Sequence, residues 1–458
     1  MDGLVPFLGH ALEIRRDPVD FLLRGRRRHG DVFGMKLPGA DTVVFSGLKA
    51  HEAFFRQPDE VLSQKEVYQF MVPIFGKGIA YDTTPELMKE QMAFLHPGLR
   101  EARLRTYAEL FVEEAEAFFD RWDNEGVVDL YDIGNELTIY TSSRALLGGD
   151  FRKHLSGEFA RLYQELEGGL TLWSFLNPYL PIPAHRRRDK ARVKMGEMIK
   201  RIVDERRREG RQESDILQTL LEAKYSDGRA LSDDEIVGIL LTVMFAGHHT
   251  SGVTFCWNTI LMNQHPAYFA RVMEEQKAVL GDRTTLKVED LRAMTLLERS
   301  VKETLRMYPA IIMLMRRVLK DFSYEQYEVK AGQMALCSPA ASHHIETIFK
   351  DPWKYDPDRY GPGREEDRQH PLAFIAFGGG KHRCLGAVFA TLQLVATSSV
   401  LARHFELELL EPRYYPDYKR ILVGPHQPCR ARYRRKKRPL VQVPLTSPLD
   451  AAPIQAAG

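Results

Sequence analysis

A chain of 458 residues is long enough to bury the core of one large enzyme, and 44% hydrophobic with 28% charged side chains predicts a soluble globular protein. A net charge of only +2 excludes a general preference for nucleic acid or acidic substrates. The cysteines Cys256, Cys337, Cys384 and Cys429 are widely spaced with no CxxC pair, which argues against a disulfide framework or a zinc site and for a reducing compartment.

In chain order, residues 1–10 lack a basic region followed by an apolar run, so no signal peptide is expected. No run of 18 uninterrupted apolar residues occurs, so no membrane-spanning helix is expected, and a cytoplasmic location follows. Alternation over 31–37 and 41–45 around Pro38-Gly39 predicts a β-hairpin. Helical periodicity follows at 48–57, 85–95, 99–123 and 130–147. Residues 172–183 form an apolar, proline-broken segment ahead of a strongly basic helix over 186–211. The basic run reads as a solvated helix face or, together with the apolar segment, as a surface making transient contact with a membrane.

Ser232-Asp233-Asp234-Glu235 is a capping box that opens a helix running to Asn263, with Pro266 beyond its end. That helix is apolar nearly all round, hence buried, until Ala246-Gly247-His248-His249-Thr250-Ser251 breaks the pattern. Two histidines and two hydroxyls there are either a satisfied polar kink or a working site. Further helices are expected at 266–280, 288–294 and 296–307, the last carrying Glu303 and Arg306 at i,i+3 spacing. A β-rich region spans 316–322, 327–329 and 334–337, followed by the turn Tyr355-Asp356-Pro357-Asp358-Arg359-Tyr360. The fold class predicted is mainly α with a small β-rich lobe.

Next comes Phe377-Gly378-Gly379-Gly380-Lys381-His382-Arg383-Cys384-Leu385-Gly386, leading into a helix over 387–405. Three glycines allow a backbone to approach something flat. A cysteine at a helix N-terminus beside Lys381, His382 and Arg383 is expected to ionise easily, and a thiolate binds a soft metal centre. Taken alone, an isolated cysteine such as Cys384 is more often an ordinary small buried residue. The tail has seven basic side chains among residues 430–438, then a nearly uncharged stretch over 441–458 that reads as a flexible linker.

Taken together and in order, the interrupted helix, the Glu-x-x-Arg pair, the Asp-Pro-Asp-Arg-Tyr turn and the Phe-x-x-Gly-x-x-x-Cys-x-Gly loop resemble the cytochrome P-450 superfamily over residues 1–440, read as one catalytic domain. Residues 68–82 (Tyr-Gln-Phe-Met-Val-Pro-Ile-Phe-Gly-Lys-Gly-Ile-Ala-Tyr-Asp) and histidine at 249 before Thr250 resemble the sterol 14α-demethylases, in their soluble bacterial form. The resemblance implies haem b between the long central helix and the cysteine-loop helix, with Cys384 as its thiolate ligand. Phe377 and Gly378 would line the haem, and Tyr68, Lys89, Arg316 and His382 would meet its propionates. It implies a bracing triad of Glu303, Arg306 and Arg359, substrate contacts from Tyr68, Phe70, Met71, Phe75, Ala246 and Ile311, and proton delivery by His249 and Thr250. Many P-450s carry Trp-x-x-x-Arg where this chain has Met88-Lys89-Glu90-Gln91-Met92, so the arginine contact is missing.

The implied activity is removal of a sterol 14α-methyl group as formate by three O2-dependent oxidations. No Walker loop or convincing dinucleotide fingerprint is present, so electrons must come from outside, from a ferredoxin with its NAD(P)H reductase. Lys381, Arg383 and the 430–438 cluster would attract an acidic donor, and the linker-like tail suggests that the native chain continues into a fused redox domain. The alternatives are a P-450 hydroxylating a fatty acid or terpenoid, and a haem-binding sensor without turnover.

Overall fold

The longest element is a helix over Asp233–Gln264, defined by its two ends. Ser232 Oγ accepts from the Glu235 amide at 3.3 Å while Glu235 Oε2 accepts from the Ser232 amide at 2.7 Å, the reciprocal bonding that the sequence predicts. Pro266 follows as the first residue of the next helix, Pro266–Leu280. At 1.5 Å per residue the long helix extends about 48 Å. By length and composition it could cross a membrane, although polar interruptions hide this from a search for unbroken apolar runs; 67% of its most apolar stretch is buried inside the protein.

The structure, a computed structural model, describes residues 9–437 apart from 155, 156, 282 and 284. The expected linker over 441–458 and the extreme N-terminus therefore lie outside the described residues. Two compact units divide the chain. One comprises residues 9–67, 122–136 and 249–437, the other 68–121 and 137–248, and the long helix passes from the second to the first between His248 and His249.

All ten strands found among the described residues belong to the first unit. The expected hairpin is β1 (Val32–Leu37) with β2 (Ala40–Phe45), Val32 facing Phe45 across the pair. These strands join β3 (Leu62–Ser63), β5 (Leu314–Val318) and β8 (Met334–Cys337) in a five-stranded sheet of order β1-β2-β8-β5-β3. Phe45, Phe54, Phe55 and Ile375 are buried in the core cluster beside it. The strand expected over 316–322 is broken. The chain turns outward at the exposed Leu319 and Lys320, and β6 (Phe322–Tyr324) pairs instead with β7 (Tyr327–Val329) across Glu325, whose φ is +52°.

A second sheet was not expected: β4 (Glu125–Asp129), β10 (Arg430–Arg435) and β9 (Phe405–Leu409), in the order β4-β10-β9. In β10 Ala431 and Tyr433 are buried, while Arg430, Arg432 and Arg434 pair with Glu411, Glu408 and Glu406. Three of the seven cations of residues 430–438 are thus already paired within the chain. A period of two places these arginines on one face, where glutamates of the same unit already compensate them.

Among its described residues the second unit is built on helices, including Pro85–Ala93, Glu101–Asp120 and the basic Pro183–Glu209. The basic helix buries Ala191, Met195, Ile199, Ile202 and Val203 at three- and four-residue spacing and turns most of its cations outward. The helix expected to end at 147 does break there, at Gly148 with φ +88°, but helical backbone resumes and runs to His154.

Candidate active site: the cysteine loop and the polar break in the long helix

Residues 377–386 connect the core of the first unit to the helix Ala387–His404. Cys384 is the one exposed cysteine of the four, and its amide donates to Phe377 O at 2.9 Å, closing the loop. The glycines do something other than the sequence suggested. A Cβ on Gly380 would lie 2.5 Å from Phe55 O and one on Gly379 2.7 Å from the Leu372 side chain, so these two let the loop press onto its own protein. Gly378, with φ +71°, supplies the left-handed turn, and the nearest atom to a Cβ there would be His382 O at 3.6 Å.

The expectation of a readily ionised Cys384 is also corrected for the chain by itself. Burial of the sulfur's inner side pushes the thiol pKa up, and the amide of Gly386 and the charge of Arg383 offset this only in part. Asp59, remote in sequence, takes Lys381 Nζ at 3.0 Å and His382 Nε2 at 2.6 Å, so the Lys381 charge next to the cysteine is already paired. With its amide turned to face the guanidinium, Gln64 accepts from Arg316 at 2.6 and 2.8 Å and donates to His382 Nδ1 at 3.2 Å. Arg316 is 5% exposed. Burial lowers the His382 pKa more than Asp59 raises it, in keeping with a neutral ring that accepts at Nδ1 and donates from Nε2. Neither Asp59 nor Gln64 sits in a motif that sequence reading could have flagged.

Glu303, Arg306 and Arg359 occupy one fully buried cluster. Arg306 donates to both Glu303 oxygens at 2.8 and 2.9 Å, and Arg359 Nε reaches both at 3.1 Å. The Asp356 amide and the Tyr360 hydroxyl add bonds at 2.9 Å each, so the Asp-Pro-Asp-Arg-Tyr turn is fastened to Glu303 at three points.

At the polar break each histidine has a polar neighbour. Within the second unit His248 is buried, its Nδ1 3.8 Å from Glu167 Oε1, and stands edge-on to Tyr163 at 4.9 Å. Within the first unit His249 Nδ1 lies 3.2 Å from Asn135 Oδ1, a contact that Nδ1 makes as donor. The Thr250 carbonyl accepts from Thr254 Oγ1 at 2.7 Å. Ile311 of the same unit is 42% exposed.

In the second unit Phe70, Met71 and Phe75 are buried, Tyr68 is half-buried and Ala246 is exposed. The Phe75 ring packs edge-on to Phe245 at 6.0 Å, and Phe70 lies 4.2 Å from Phe175. Lys89 is exposed on Pro85–Ala93. Its helix neighbour Gln91 escaped the sequence reading: fully buried, it accepts from the Ala80 amide at 3.1 Å and donates to Gly78 O at 2.7 Å, clamping the 68–82 stretch. An uncharged glutamine beside Lys89 and Glu90 on a short helix carries no signal in the sequence.

A mainly helical chain with a long interrupted helix, a buried Glu–Arg–Arg cluster and an exposed cysteine before a helix defines a class. The chain belongs to the cytochrome P-450 family, whose profile matches residues 2–426. Within it the chain falls among the sterol 14-demethylases. It is 39% identical over 441 residues to the sterol 14-demethylase of Arabidopsis thaliana, covering 94% of this chain and 90% of that one. The sterol 14alpha-demethylase of Mycobacterium tuberculosis is 38% identical, with 93% and 96% covered. The lanosterol 14-alpha demethylase of Bos taurus is 33% identical, with 95% and 87% covered. The fold matches retinoic acid-bound cyanobacterial CYP120A1 with a TM-score of 0.82 at 22% identity, over 94% of this chain and 98% of that one.

A cytochrome P-450 is a haem enzyme that draws on O2 and redox partners. The residues present fit that cofactor: one exposed sulfur, a side-chain-free Gly386 whose Cβ would approach that sulfur to 3.9 Å, and the nearly buried cation Arg316.

Proposed function

We propose that this protein removes the 14α-methyl group of a sterol precursor by three successive oxidations, releasing formate. The observation that carries the reading is that relatives named sterol 14-demethylases from a plant, a mycobacterium and a mammal align along more than nine-tenths of the chain. Exposed Ala246 and half-buried Tyr68 in the second unit, and exposed Ile311 in the first, support it as side chains open to an apolar substrate, while Phe70, Met71 and Phe75 are buried.

In this reading the Cys384 sulfur would hold haem b as thiolate, beside Phe377 and Gly378. Arg316 and His382, with Tyr68 and Lys89, would meet its carboxylates. When bound, haem supplies reductive activation of O2 and insertion of oxygen into a C–H bond, which a thiolate ligand favours. The chain's own task is the proton. His249, whose Nδ1 meets Asn135, carries a ring that can accept a proton and pass it on, and the Thr250 hydroxyl both accepts and donates. Electrons come from a ferredoxin and its reductase, docking where Arg383, Leu385 and Val388 are exposed around the cysteine.

Reconstitution with a ferredoxin, its reductase and several 14α-methyl sterols tests the function. Formate and a demethylated sterol with a new ring double bond are the expected products. Hydroxylated fatty acid or terpenoid alongside unaltered sterol would replace the proposal. For the proton path, Thr250→Ala is expected to lower product formed per electron pair roughly tenfold, below the full range of acid–base assistance because water can substitute. Unchanged coupling would remove Thr250 from the path.

A further inference from the structure

In the second unit the turn over 78–82 is held in a backbone that its own sequence does not favour. Ala80, which carries a Cβ, takes a φ of +48°, a left-handed conformation that alanine rarely adopts. What holds it there is the buried Gln91. One side-chain amide closes the turn from both ends, accepting from the Ala80 amide at 3.1 Å and donating to Gly78 O at 2.7 Å. On its other side the stretch presses on the long helix, where a Cβ at Gly238 would lie 2.5 Å from Phe75 O and 2.7 Å from Ile79 Cγ1. Tyr81 follows directly, its ring stacked on Tyr68 at 5.2 Å and its carbonyl accepting from Gln69 Nε2 at 2.7 Å.

Gln91 is itself held from behind. Its Nε2 donates to the Tyr225 hydroxyl at 3.3 Å, and that hydroxyl donates to Glu235 Oε1 at 2.8 Å. Glu235 closes the capping box of the long helix and takes Arg229 at 2.8 and 3.0 Å. Bonding to Arg229 outweighs burial and holds its pKa down to about 2, so Tyr225 faces a carboxylate. The Tyr225 ring is fixed separately, edge-on to Phe94 at 5.2 Å and under the Arg229 guanidinium at 4.2 Å. Glu235, Tyr225 and Gln91 thus form an unbroken line of hydrogen bonds from the first turn of the long helix to the 78–82 turn.

We propose that Gln91 and Tyr225 are positioning residues: acting through the 78–80 backbone, they fix Tyr81, and the Tyr68 ring stacked on it, as a wall for an apolar substrate. Neither needs to touch substrate, since Gln91 is fully buried and Tyr225 is 5% exposed. A merely structural pair would alter the second unit as a whole; a positioning pair alters the turn and what binds against it. That the substrate is a sterol meeting Tyr68 rests on the function proposed above. The ordering of the turn does not.

The test uses the haem-loaded full chain and two readouts. Hydrogen exchange followed by mass spectrometry reports the turn without substrate. The sterol-induced shift of the haem absorption band reports affinity for a 14α-methyl sterol. Tyr225→Phe removes one hydroxyl and leaves Glu235 its bonds to Arg229 and Ser232. It is expected to speed exchange over 76–82 and to weaken sterol binding, each roughly threefold, the effect of losing one neutral hydrogen bond at Gln91. Gln91→Met, of equal length without a polar atom, should change both about tenfold. Adding Ala80→Gly to Gln91→Met should restore most of the affinity, because glycine takes the left-handed φ without needing the Gln91 acceptor. Exchange elsewhere in the second unit should stay unchanged. Should Gln91→Met not fold, Tyr225→Phe carries the test by itself. Unchanged exchange over 76–82 overturns the proposal, as does faster exchange spread evenly over the second unit. So does faster local exchange with sterol affinity intact. If the unsubstituted protein shows no sterol-induced shift, the sterol reading fails, and the exchange measurement still decides the ordering of the turn by the same criteria.

Discussion

Glu303→Ala is expected to destabilise the folded protein by about 3–5 kcal/mol, the range seen when one partner of a buried ion pair is removed. Two guanidinium groups depend on this carboxylate, and both are fully buried. Without Glu303, Arg306 keeps only carbonyl acceptors, at His343 and Lys354. Arg359 keeps Glu366, at 2.6 Å, and the Lys350 carbonyl. The site would then hold two buried cations against one counterion, and the Asp356 amide and Tyr360 hydroxyl would lose their acceptor as well. Such a loss is a large share of the roughly 5–15 kcal/mol by which domains are stable. Urea unfolding followed by circular dichroism measures it. Glu303→Asp, which keeps the charge at shorter reach, should fall between the two. A change under about 1 kcal/mol for the alanine variant would mean that the cluster is not the brace proposed for the cysteine-loop region.

The same cluster shows what could be read from the chain beforehand. The spacing of Glu303 and Arg306 is visible in any sequence, but i,i+3 pairs are mostly exposed and contribute little. What gives this one weight is burial and a third partner from a distant turn, and only a family pattern could point to Arg359. The capping box, the hairpin and the basic helix were legible because their signals are local and periodic. Strand β10 was not, since a run of arginines reads as a solvated charge cluster unless the small buried Ala431 between Arg430 and Arg432 is given its due. The cysteine loop was legible as a motif, yet its electrostatics were not. Burial of Cys384 outweighs the nearby Arg383 charge, Lys381 is paired with Asp59, remote in sequence, and the loop glycines turned out to serve Phe55 and Leu372. At the polar break the two histidines were visible, but their polar neighbours Glu167 and Asn135 carry no sequence signal.

Acid should unfold this protein well before its carboxylates protonate. His51, His343 and His344 are buried in the first unit and neutral. His343 Nε2 accepts from the Ile375 amide at 2.9 Å, and its Nδ1 donates to Arg306 O at 3.1 Å, so a second proton would face an N–H donor. His51 donates from Nδ1 to Leu372 O and meets Ser342 Oγ with Nε2, and His344 donates to Ala340 O. Burial, with nearby cations, depresses all three: His51 and His344 from 6.5 to about 4, and His343 well below its ordinary value. The unfolded chain binds these protons near pH 6.5 while the folded one refuses them. Stability is therefore complete above about pH 6.5 and falls as pH drops toward 4, by about 3 kcal/mol for each of His51 and His344, with His343 adding in the same direction. The urea midpoint should drop steeply across that window. His344→Asn, which keeps a donor for the Ala340 carbonyl but cannot titrate, should make the drop shallower even if it lowers stability at neutral pH. A midpoint that holds constant down to about pH 4.5 would mean that these histidines find acceptors for a second proton in the folded state.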